Sequence, residues 1–326
     1  MLNFCTLFDS NYLAKGLVMH QSLINVCTDF QLYIFAFDEK TYTVLLQLQL
    51  KDVTVISLSE FEDPELLSVK PSRTKAEYCW TCASSTILYC LNNFDIDHCT
   101  YVDSDLFFYS NPTVLVDEMC DKDVLIIDHR YSAEYDQSAL SGKYCVQFMC
   151  FKNTNNGLKI LHWWRDACID WCYNRREDGK FGDQKYLDDW MERFSGVHEL
   201  KNLGGGVAPW NVQQYVINSE KSGICGIEKA TDTSFQFVFY HFHYLNNQKI
   251  NFINEFNFGP YSLSDNVIKY IYKPYIAKLK VANKMIRSIN EDVDSLGSKA
   301  IRLSFVKLIA HIVKNSFKQN KIIWIK

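Results

Sequence analysis

The first hundred residues alternate between continuous apolar runs and stretches with apolar residues three and four apart. The segments "NFCTLF", "QLYIFAF" and "DVTVISL" have the length of buried strands, whereas "LAKGLVMHQSLINV" has helical spacing. Strands and helices in alternation predict an α/β fold with a mixed, largely parallel sheet flanked by helices. We predict strands at 3–8, 31–37, 52–58, 98–105, 123–129, 144–153 and 234–244, and helices at 13–26, 77–94 and 157–176.

Charge divides the chain near residue 266. From residue 267 onward there are 13 Lys and Arg against 3 Asp and Glu, which leaves 21 against 35 in residues 1–266. Such asymmetry indicates that the basic part meets an anionic partner. We therefore predict a catalytic domain over 1–265 and a basic helical C-terminal extension over 266–326.

The last segment has the spacing of a basic amphipathic helix. Its basic side chains are Lys307, His311, Lys314, Lys318 and Lys321, and its apolar ones are Phe305, Leu308, Ile309, Ile312 and Val313. Such a helix either lies on an anionic membrane surface or packs on the catalytic domain with its lysines in water. We expect peripheral membrane contact through 301–326. We expect no nucleic-acid partner, because no stacking platform or nucleic-acid motif accompanies the lysines.

The sequence shows no sign of secretion or of a membrane span. It has no basic N-terminal region followed by a continuous apolar run, and no apolar run of about 18 residues. The twelve cysteines are scattered, so we expect reduced thiols in a cytoplasmic protein, peripheral at the inner face of the membrane. Cys79 and Cys82 have redox or zinc spacing, and Cys168 and Cys172 are four apart; we interpret both pairs as helix-face residues, with redox or metal use as the alternative.

Asp103 and Asp105 stand out among four Asp-x-Asp pairs, because this pair alone follows one strand-like run, "CTYV", and precedes another, "LFFY". Alternate residues of an extended chain point the same way, so two parallel carboxylates would repel each other in apolar surroundings. A divalent cation removes that penalty, and oxygen ligands suit Mg²⁺ or Mn²⁺, which phosphate oxygens commonly complete. The alternative is a solvated or turn-capping pair.

Two other segments place polar groups at the ends or faces of strands. In "FDSNY", Asp9 and Asn11 could bond the edge of a base and Tyr12 could stack on it. In "FYHFHY", His241 and His243 lie on one strand face, where an imidazole could be the third ligand of the cation. A histidine in an aromatic strand is otherwise a core residue.

In this order, "DSNY", "YVDSD", "GDQKYLDDW" and "HFHY" resemble the GT-A glycosyltransferases. They are most similar to the retaining family of glycogenin and the lipopolysaccharide galactosyl- and glucosyltransferases, glycosyltransferase family 8, over about residues 3 to 250. The resemblance implies a Rossmann-like GT-A fold, a UDP-sugar donor, and Mn²⁺ or Mg²⁺ bridging the two donor phosphates.

The resemblance also implies residue roles, assigned by position. Asp9 and Asn11 would contact uracil and ribose, and Tyr12 would stack on the base. Asp103, Ser104 and Asp105 would bind metal and nucleotide, and His241 would be the third metal ligand, with His243 as the fallback. Asp183 and Gln184 would lie beside the transferred sugar. Retention requires either a covalent carboxylate intermediate, for which Asp183 is the candidate, or attack on the face of departure; the sequence leaves both open. The alternative interpretation of "GDQKYLDDW" is a capped helix start.

The chain departs from the family pattern at three places. Lys-Pro-Trp after the histidine is missing, so Lys249 or Lys201 would have to reach the phosphates. The Asn-x-Gly strand reads "YCVQFMCF", where Gln147 would replace the sugar-contacting Asn. The helix arginine is missing, so Lys75 or Arg73 would substitute.

Two loops are candidate linings of the sugar pocket. "NLGGGVAPWN" contains Gly205 and Gly206, whose freedom permits a close backbone approach; the alternative is a tight surface turn. "HRYS" follows the strand "VLIID" and offers Asp128 or His129.

The resemblance implies a metal-dependent, retaining transferase that moves a hexose from a UDP-sugar to a saccharide or glycolipid acceptor. Together with the basic C-terminal segment, it implies a role in cell-surface polysaccharide or lipopolysaccharide synthesis. A nucleotidyltransferase is disfavoured, because "DSNYLAKG" is a poor match to a Gly-rich basic loop. A non-catalytic sugar-nucleotide-binding or membrane-tethered protein of the same fold is the main alternative.

Overall fold

The computed structural model describes residues 1–221, 223–251, 253–316 and 321–325. The strands are β1 Leu2–Phe8, β2 Phe30–Ala36, β3 Val53–Ser57, β4 His98–Val102, β5 Leu106–Phe108, β6 Val124–Asp128, β7 Tyr144–Lys152, β8 Val197–Glu199, β9 Tyr215–Glu220, β10 Gly223–Glu228, β11 Ser234–Gln236, β12 Phe239–His241, β13 Asn246–Ile250, β14 Ile253–Asn257, β15 Lys299–Ile301 and β16 Lys321–Ile325. The helices are α1 Leu13–Val26, α2 Glu39–Leu48, α3 Leu58–Phe61, α4 Pro64–Val69, α5 Lys75–Asn93, α6 Thr113–Asp117, α7 Ser138–Ser141, α8 Asn155–Asp170, α9 Trp190–Arg193, α10 Asp265–Val267, α11 Lys273–Ile289 and α12 Phe305–Ser316.

A seven-stranded sheet, in the order β3-β2-β1-β4-β7-β6-β8, forms the centre of the molecule. Strands β1 to β4 run parallel to one another, β6 and β8 are parallel, and β7 runs antiparallel to its two neighbours. All seven residues of β1 are buried, as expected for a strand covered on both faces. The predicted mixed, largely parallel α/β fold is confirmed.

Helices cover both faces of this sheet. One apolar core joins it to α1 and α11, and a second core joins it to α5 and α8. Helix α5 begins where Thr74 and Glu77 form a reciprocal capping box, which satisfies backbone N–H groups of the first turn. Because the strands β1 and β4 lie side by side and parallel, their carboxyl ends bring Asp9 and Asp103 to the same edge.

Three smaller sheets extend the molecule. Strands β9 to β11 form an antiparallel sheet, β12 pairs with β5, and β15-β13-β14-β16 form a fourth sheet. The single strand predicted over 234–244 is wrong: the chain pairs first with β10 and then with β5, so it divides into β11 and β12. Helix α8 likewise ends at Asp170, before the predicted limit of 176.

The C-terminal segment shares the core of the preceding residues. Helix α11 packs on α1, the Tyr275 and Phe242 rings stack with centroids 3.6 Å apart, and the Tyr272 and Tyr240 hydroxyls are 3.2 Å apart. The division into 1–265 and 266–326 thus remains a prediction based on charge.

The continuous helical stripe predicted from Lys307 to Lys321 is wrong. Helix α12 ends at Ser316, and Lys321 begins β16, which pairs antiparallel with β14. Lys318 lies outside the described residues. The open edge of β14 offers backbone hydrogen bonds that a helix continuing to the C-terminus would leave unused.

Across the described ranges, no helix combines the length and apolar character needed to cross a membrane. All twelve cysteines lie in these ranges and are free thiols. Cys79 and Cys82 lie on α5 as predicted. A separate buried thiol cluster, Cys5, Cys90 and Cys99, lies in the core between the sheet and α5.

Candidate functional site

The two aspartates of "YVDSD" lie at the turn between β4 and β5. Strand β4 ends at Val102, and a turn is closed by the Leu106 N–H donating to the Asp103 carbonyl. Strand β5 then pairs with β12 in a register that sets Leu106 opposite His241. The pairing of β5 with β12 therefore places His241 next to the carboxylates of Asp103 and Asp105.

Asp103, Asp105 and His241 form one cluster, with a ligand atom of each within 4.8 Å of the others. His241 Nε2 is 3.0 Å from Asp105 Oδ1 and 3.6 Å from Asp103 Oδ2. Asp103 also accepts a hydrogen bond from the Tyr101 hydroxyl. Two carboxylates and an imidazole at this spacing fit a divalent cation such as Mn²⁺ or Mg²⁺.

Gln147 fixes the orientation of the His241 imidazole through a hydrogen bond. His241 Nδ1 donates to Gln147 Oε1 over 2.8 Å, and Gln147 is wholly buried on β7. The Gln147 Nε2 is buried without a hydrogen-bond partner among the described residues. Gly206 lies next to it, since a Cβ there would be 3.3 Å from Gln147 Nε2. A buried donor of this kind requires an acceptor, and none of the described residues supplies one.

Lys15, on α1, is a site residue that the sequence interpretation missed. Its Nζ is 3.3 Å from Asp105 Oδ2 and 4.2 Å from the centroid of the Tyr12 ring, and its side chain is buried. Gly16 permits this approach, because a Cβ at Gly16 would lie 2.4 Å from the Phe8 ring. The available signal was a lysine inside the apolar stretch "LAKGLVM".

These neighbours set the ionisation of the carboxylates. Burial opposes the charge of Asp105, but Lys15 and His241 hold its pKa well below the ordinary range. Burial, together with the charge of Asp105, raises the pKa of Asp103. Burial alone would lower the pKa of His241, but the two carboxylates raise it. Lys15 and His241 thus offset the expected repulsion between the carboxylates, so the repulsion by itself is no evidence for a metal.

The segment after β1 lies beside this cluster. Asp9 accepts from the Asn11 backbone and side-chain nitrogens, and Lys75 Nζ is 3.9 Å from Asp9 Oδ2. The Tyr12 ring is 44% exposed, so it is available for stacking. The proposed substitute Arg73 instead donates to the Ile169 carbonyl and stacks on Tyr173.

Asp183 is buried and titrates abnormally. Burial raises its pKa to about 8, and the charge of Asp103 adds to the shift. The Trp164 indole donates to the Asp183 carbonyl, and Gln184 Nε2 donates to the Ser141 carbonyl. Asp183 therefore carries its proton at neutral pH.

The segment after β6 is tied to the glycine loop. Asp128 accepts from the Arg130 N–H, and Lys143 Nζ is 3.6 Å from Asp128 Oδ2. The Arg130 guanidinium donates to the carbonyls of Leu200, Asn202 and Gly205. Arg130 thus anchors the loop, a role that the sequence interpretation did not assign.

Aromatic rings form a wall next to the carboxylate cluster. The Trp210 ring lies 5.2 Å from His129, 5.3 Å from His241 and 5.3 Å from His243, measured between centroids. Burial lowers the pKa of both His129 and His243 to about 3, so both are neutral at physiological pH. Both His241 and His243 lie beside Trp210, but it is His241, not the fallback ligand His243, that groups with the two carboxylates among the described residues.

The other predicted positions lie in different surroundings. Gly205 packs against Leu115 and Leu200, since a Cβ there would be 2.6 Å from Leu200. Lys201 forms an ion pair with Glu199. Lys249 lies 3.7 Å from Asp294 and lines a cavity of about 310 Å³ between β13, β14 and α11, to which none of the cluster residues contributes.

Comparison with known proteins gives relatives and a shared fold. No protein-family model matches the chain. It is 33% identical over 289 residues to the uncharacterized protein YfnD of Bacillus subtilis (strain 168), covering 85% of this chain and 88% of YfnD. It is 32% identical over 247 residues to the uncharacterized protein YfnF of the same organism, covering 73% of this chain and 80% of YfnF.

Among solved structures, the galactosyltransferase LgtC in complex with donor and acceptor sugar analogues is similar in fold. The match has a TM-score of 0.50 and 12% identity, and it covers 86% of this chain and 96% of LgtC. At this identity the likeness concerns the fold alone.

Proposed function

Because the chain belongs to the family of the Bacillus subtilis proteins YfnD and YfnF and has the GT-A glycosyltransferase fold, we propose that it is a metal-dependent, retaining glycosyltransferase. It moves a hexose from a UDP-sugar to a saccharide or glycolipid acceptor. The observation that carries this proposal is the cluster of Asp103, Asp105 and His241 at the carboxyl edge of the sheet, with Gln147 behind it.

Asp103, Asp105 and His241 would hold Mn²⁺ or Mg²⁺. The bound cation supplies Lewis-acid stabilisation of the negative charge that develops on the departing nucleoside diphosphate. Asp9 and Asn11 bind the nucleoside, the exposed Tyr12 ring stacks on the base, and Lys75 beside Asp9 adds positive charge at the rim. Ser104 contributes its backbone and hydroxyl within the same turn.

The transferred sugar lies between Gln147 and Asp183. The unpartnered Nε2 of Gln147 donates to a sugar hydroxyl, beside the close backbone approach at Gly206. A protonated Asp183 is a hydrogen-bond donor and a poor nucleophile, so its raised pKa favours attack from the face of departure over a covalent intermediate. Gln184 lies with Asp183 beside this sugar, Asp128 or His129 lines its pocket, and Gly205 shapes the loop behind it.

The acceptor belongs to cell-surface polysaccharide or lipopolysaccharide synthesis, and the basic C-terminal part, including 301–326, meets the anionic inner face of the membrane. Helix α11 supports this contact. It carries five Lys and Arg and no Asp or Glu, and Val281 and Met285 on it are exposed.

The test is release of UDP from a panel of UDP-sugars with Mn²⁺, Mg²⁺ or EDTA. We expect release from one sugar, dependent on metal, and a fall of at least about a hundredfold in Asp105→Ala, since a bound cation is worth several kcal/mol. Asp95→Ala is the matched control, because Asp95 is an exposed member of another Asp-x-Asp pair. UDP binding without turnover of any sugar would instead favour the non-catalytic alternative.

A further inference from the structure

Lys15 is a buried cation that has no role in the function proposed above. Its side chain is 7% exposed, and its ammonium group contacts Asp105 Oδ2. Asp105 Oδ1 faces His241. Both oxygens of Asp105 therefore have a partner in the protein itself, the Lys15 ammonium group and the His241 imidazole.

Burial of the Lys15 charge costs free energy unless the charge interacts with an anion. Its neighbours on α1, including Leu13, Ala14, Leu17 and Val18, are buried and apolar. A buried lysine in such surroundings persists only where an anion compensates it. In the free protein that anion is Asp105, so the charge of Lys15 belongs to the carboxylate cluster.

A divalent cation at the cluster would compete with Lys15 for Asp105. Like charges a few ångströms apart in a buried site repel strongly. The ammonium group then needs another anion. The diphosphate of a nucleotide-sugar carries two negative charges, and a cation held by Asp103 and Asp105 binds it in the same place.

No other lysine suits this role as well. Lys75 is 84% exposed at Asp9, and Lys201 and Lys249 are paired with Glu199 and Asp294. Among the residues that the structure describes, Lys15 is the lysine whose ammonium group reaches the carboxylate cluster.

We propose that Lys15 is a resident counter-cation of the donor site. It neutralises Asp105 in the free protein, yields Asp105 to the divalent cation, and then binds the donor diphosphate. The proposal rests on the proposed function and adds a thermodynamic consequence. The cation alone binds weakly, and cation and nucleotide strengthen each other's binding, because the diphosphate accepts the displaced ammonium group.

The experiment measures Mn²⁺ binding by electron paramagnetic resonance, with and without UDP, for the wild type, Lys15→Met and the control Lys159→Met. In the wild type we expect UDP to tighten Mn²⁺ binding by about 5- to 150-fold, the usual range of such coupling. In Lys15→Met, Mn²⁺ alone should bind more tightly than in the wild type, and the UDP effect should fall toward one. Lys159→Met, which removes an exposed lysine of α8, should retain both the wild-type Mn²⁺ affinity and the wild-type UDP effect.

The outcomes separate the two proposals. Identical Mn²⁺ affinities and UDP effects in the wild type and Lys15→Met would overturn the role of Lys15 and leave the metal site standing. No Mn²⁺ binding by the wild type, with or without UDP, would overturn the metal site itself.

A second measurement does not depend on the stability of Lys15→Met. In wild-type protein labelled at the lysine Nζ, the Lys15 signal, assigned with Lys15→Arg, should shift when Mg²⁺ and UDP are added together. A Lys15 signal that stays in place would also overturn the proposal.

Discussion

His241 Nδ1 donates a hydrogen bond to Gln147 Oε1 over 2.8 Å, and this bond turns Nε2 of the imidazole toward Asp105, 3.0 Å away. An amide oxygen can only accept, so the proton of Nδ1 is fixed and Nε2 is the nitrogen left for the cation. A residue of β7 thereby positions a ligand on β12, although the two are 94 residues apart.

Replacement of Gln147 should therefore weaken metal binding through His241. In Gln147→Leu, the imidazole loses its acceptor, and we expect Mn²⁺ affinity to fall by about 10- to 100-fold, as for other partners of metal ligands. Gln147→Glu keeps an acceptor at this position and should retain the affinity. Isothermal titration calorimetry measures both, and equal losses in the two variants would indicate disturbed packing instead.

Asp183→Asn should stabilise the protein in a pH-dependent way. Burial raises the pKa of Asp183 from 3.8 to about 8, so between these values the native state holds a proton that the unfolded chain has lost. The contribution of Asp183 to stability thus falls as pH rises through this window, by up to about 1.4 kcal/mol per pH unit.

Asparagine does not titrate, so the advantage of the variant should grow between pH 5 and about 8 and then level off. Urea unfolding at a series of pH values measures it. A difference between variant and wild type that is constant with pH would contradict the abnormal ionisation of Asp183. UDP release by the same variant shows whether stability and activity move in opposite directions.

Gly206→Ala should disturb the site more than an equivalent change elsewhere. Gly206 has φ +90°, and a Cβ there would lie 2.8 Å from Ile127 Cγ2 and 3.3 Å from Gln147 Nε2. Gly179 has φ +76° and open space around it, so Gly179→Ala has the backbone strain without the clash. We expect Gly206→Ala to lose about 1–3 kcal/mol more in the free energy of unfolding, and to lose UDP release as well.

Thermal unfolding and UDP release compare the two glycine variants. Equal losses of stability would mean that backbone strain alone accounts for the effect. The space between Gly206 and Gln147 would then be large enough for a methyl group.

The membrane proposal predicts that charge reversal on α11 releases the protein from anionic vesicles. Lys278 and Lys284 are exposed on this helix, and each lysine near an anionic surface contributes about 1 kcal/mol. Lys278→Glu with Lys284→Glu should weaken binding at least about tenfold in a sedimentation assay.

Lys159→Glu with Lys221→Glu changes the net charge equally at exposed sites outside α11 and is the matched control. Equal loss in both double variants would point to net charge rather than to α11. If the wild-type protein sediments with neither neutral nor anionic vesicles, the proposed membrane contact is wrong.

Apolar periodicity predicted the first elements of the chain well. Helix α1 occupies the predicted residues 13–26, and β1 to β3 lie within one residue of their predicted limits. The prediction failed where one aromatic-rich run has two partners: residues 234–244 read as one strand, but they divide between β10 and β5. Apolar periodicity indicates that a segment is buried, but it does not indicate which neighbouring element packs on it.

The sequence by itself determined the α/β class, the position of Asp103 and Asp105 between two strand-like runs, and the presence of histidines in a later aromatic segment, because these depend on local spacing. It did not determine the turn that carries the two aspartates, since the strand predicted over 98–105 ends at Val102. Only the tertiary structure decided that His241 rather than His243 meets the carboxylates, that Gln147 orients it, and that Lys15 is the buried counter-charge. These contacts join residues about 90 positions or more apart in the chain. Sheet order and strand register create them, and no periodicity along the chain encodes either.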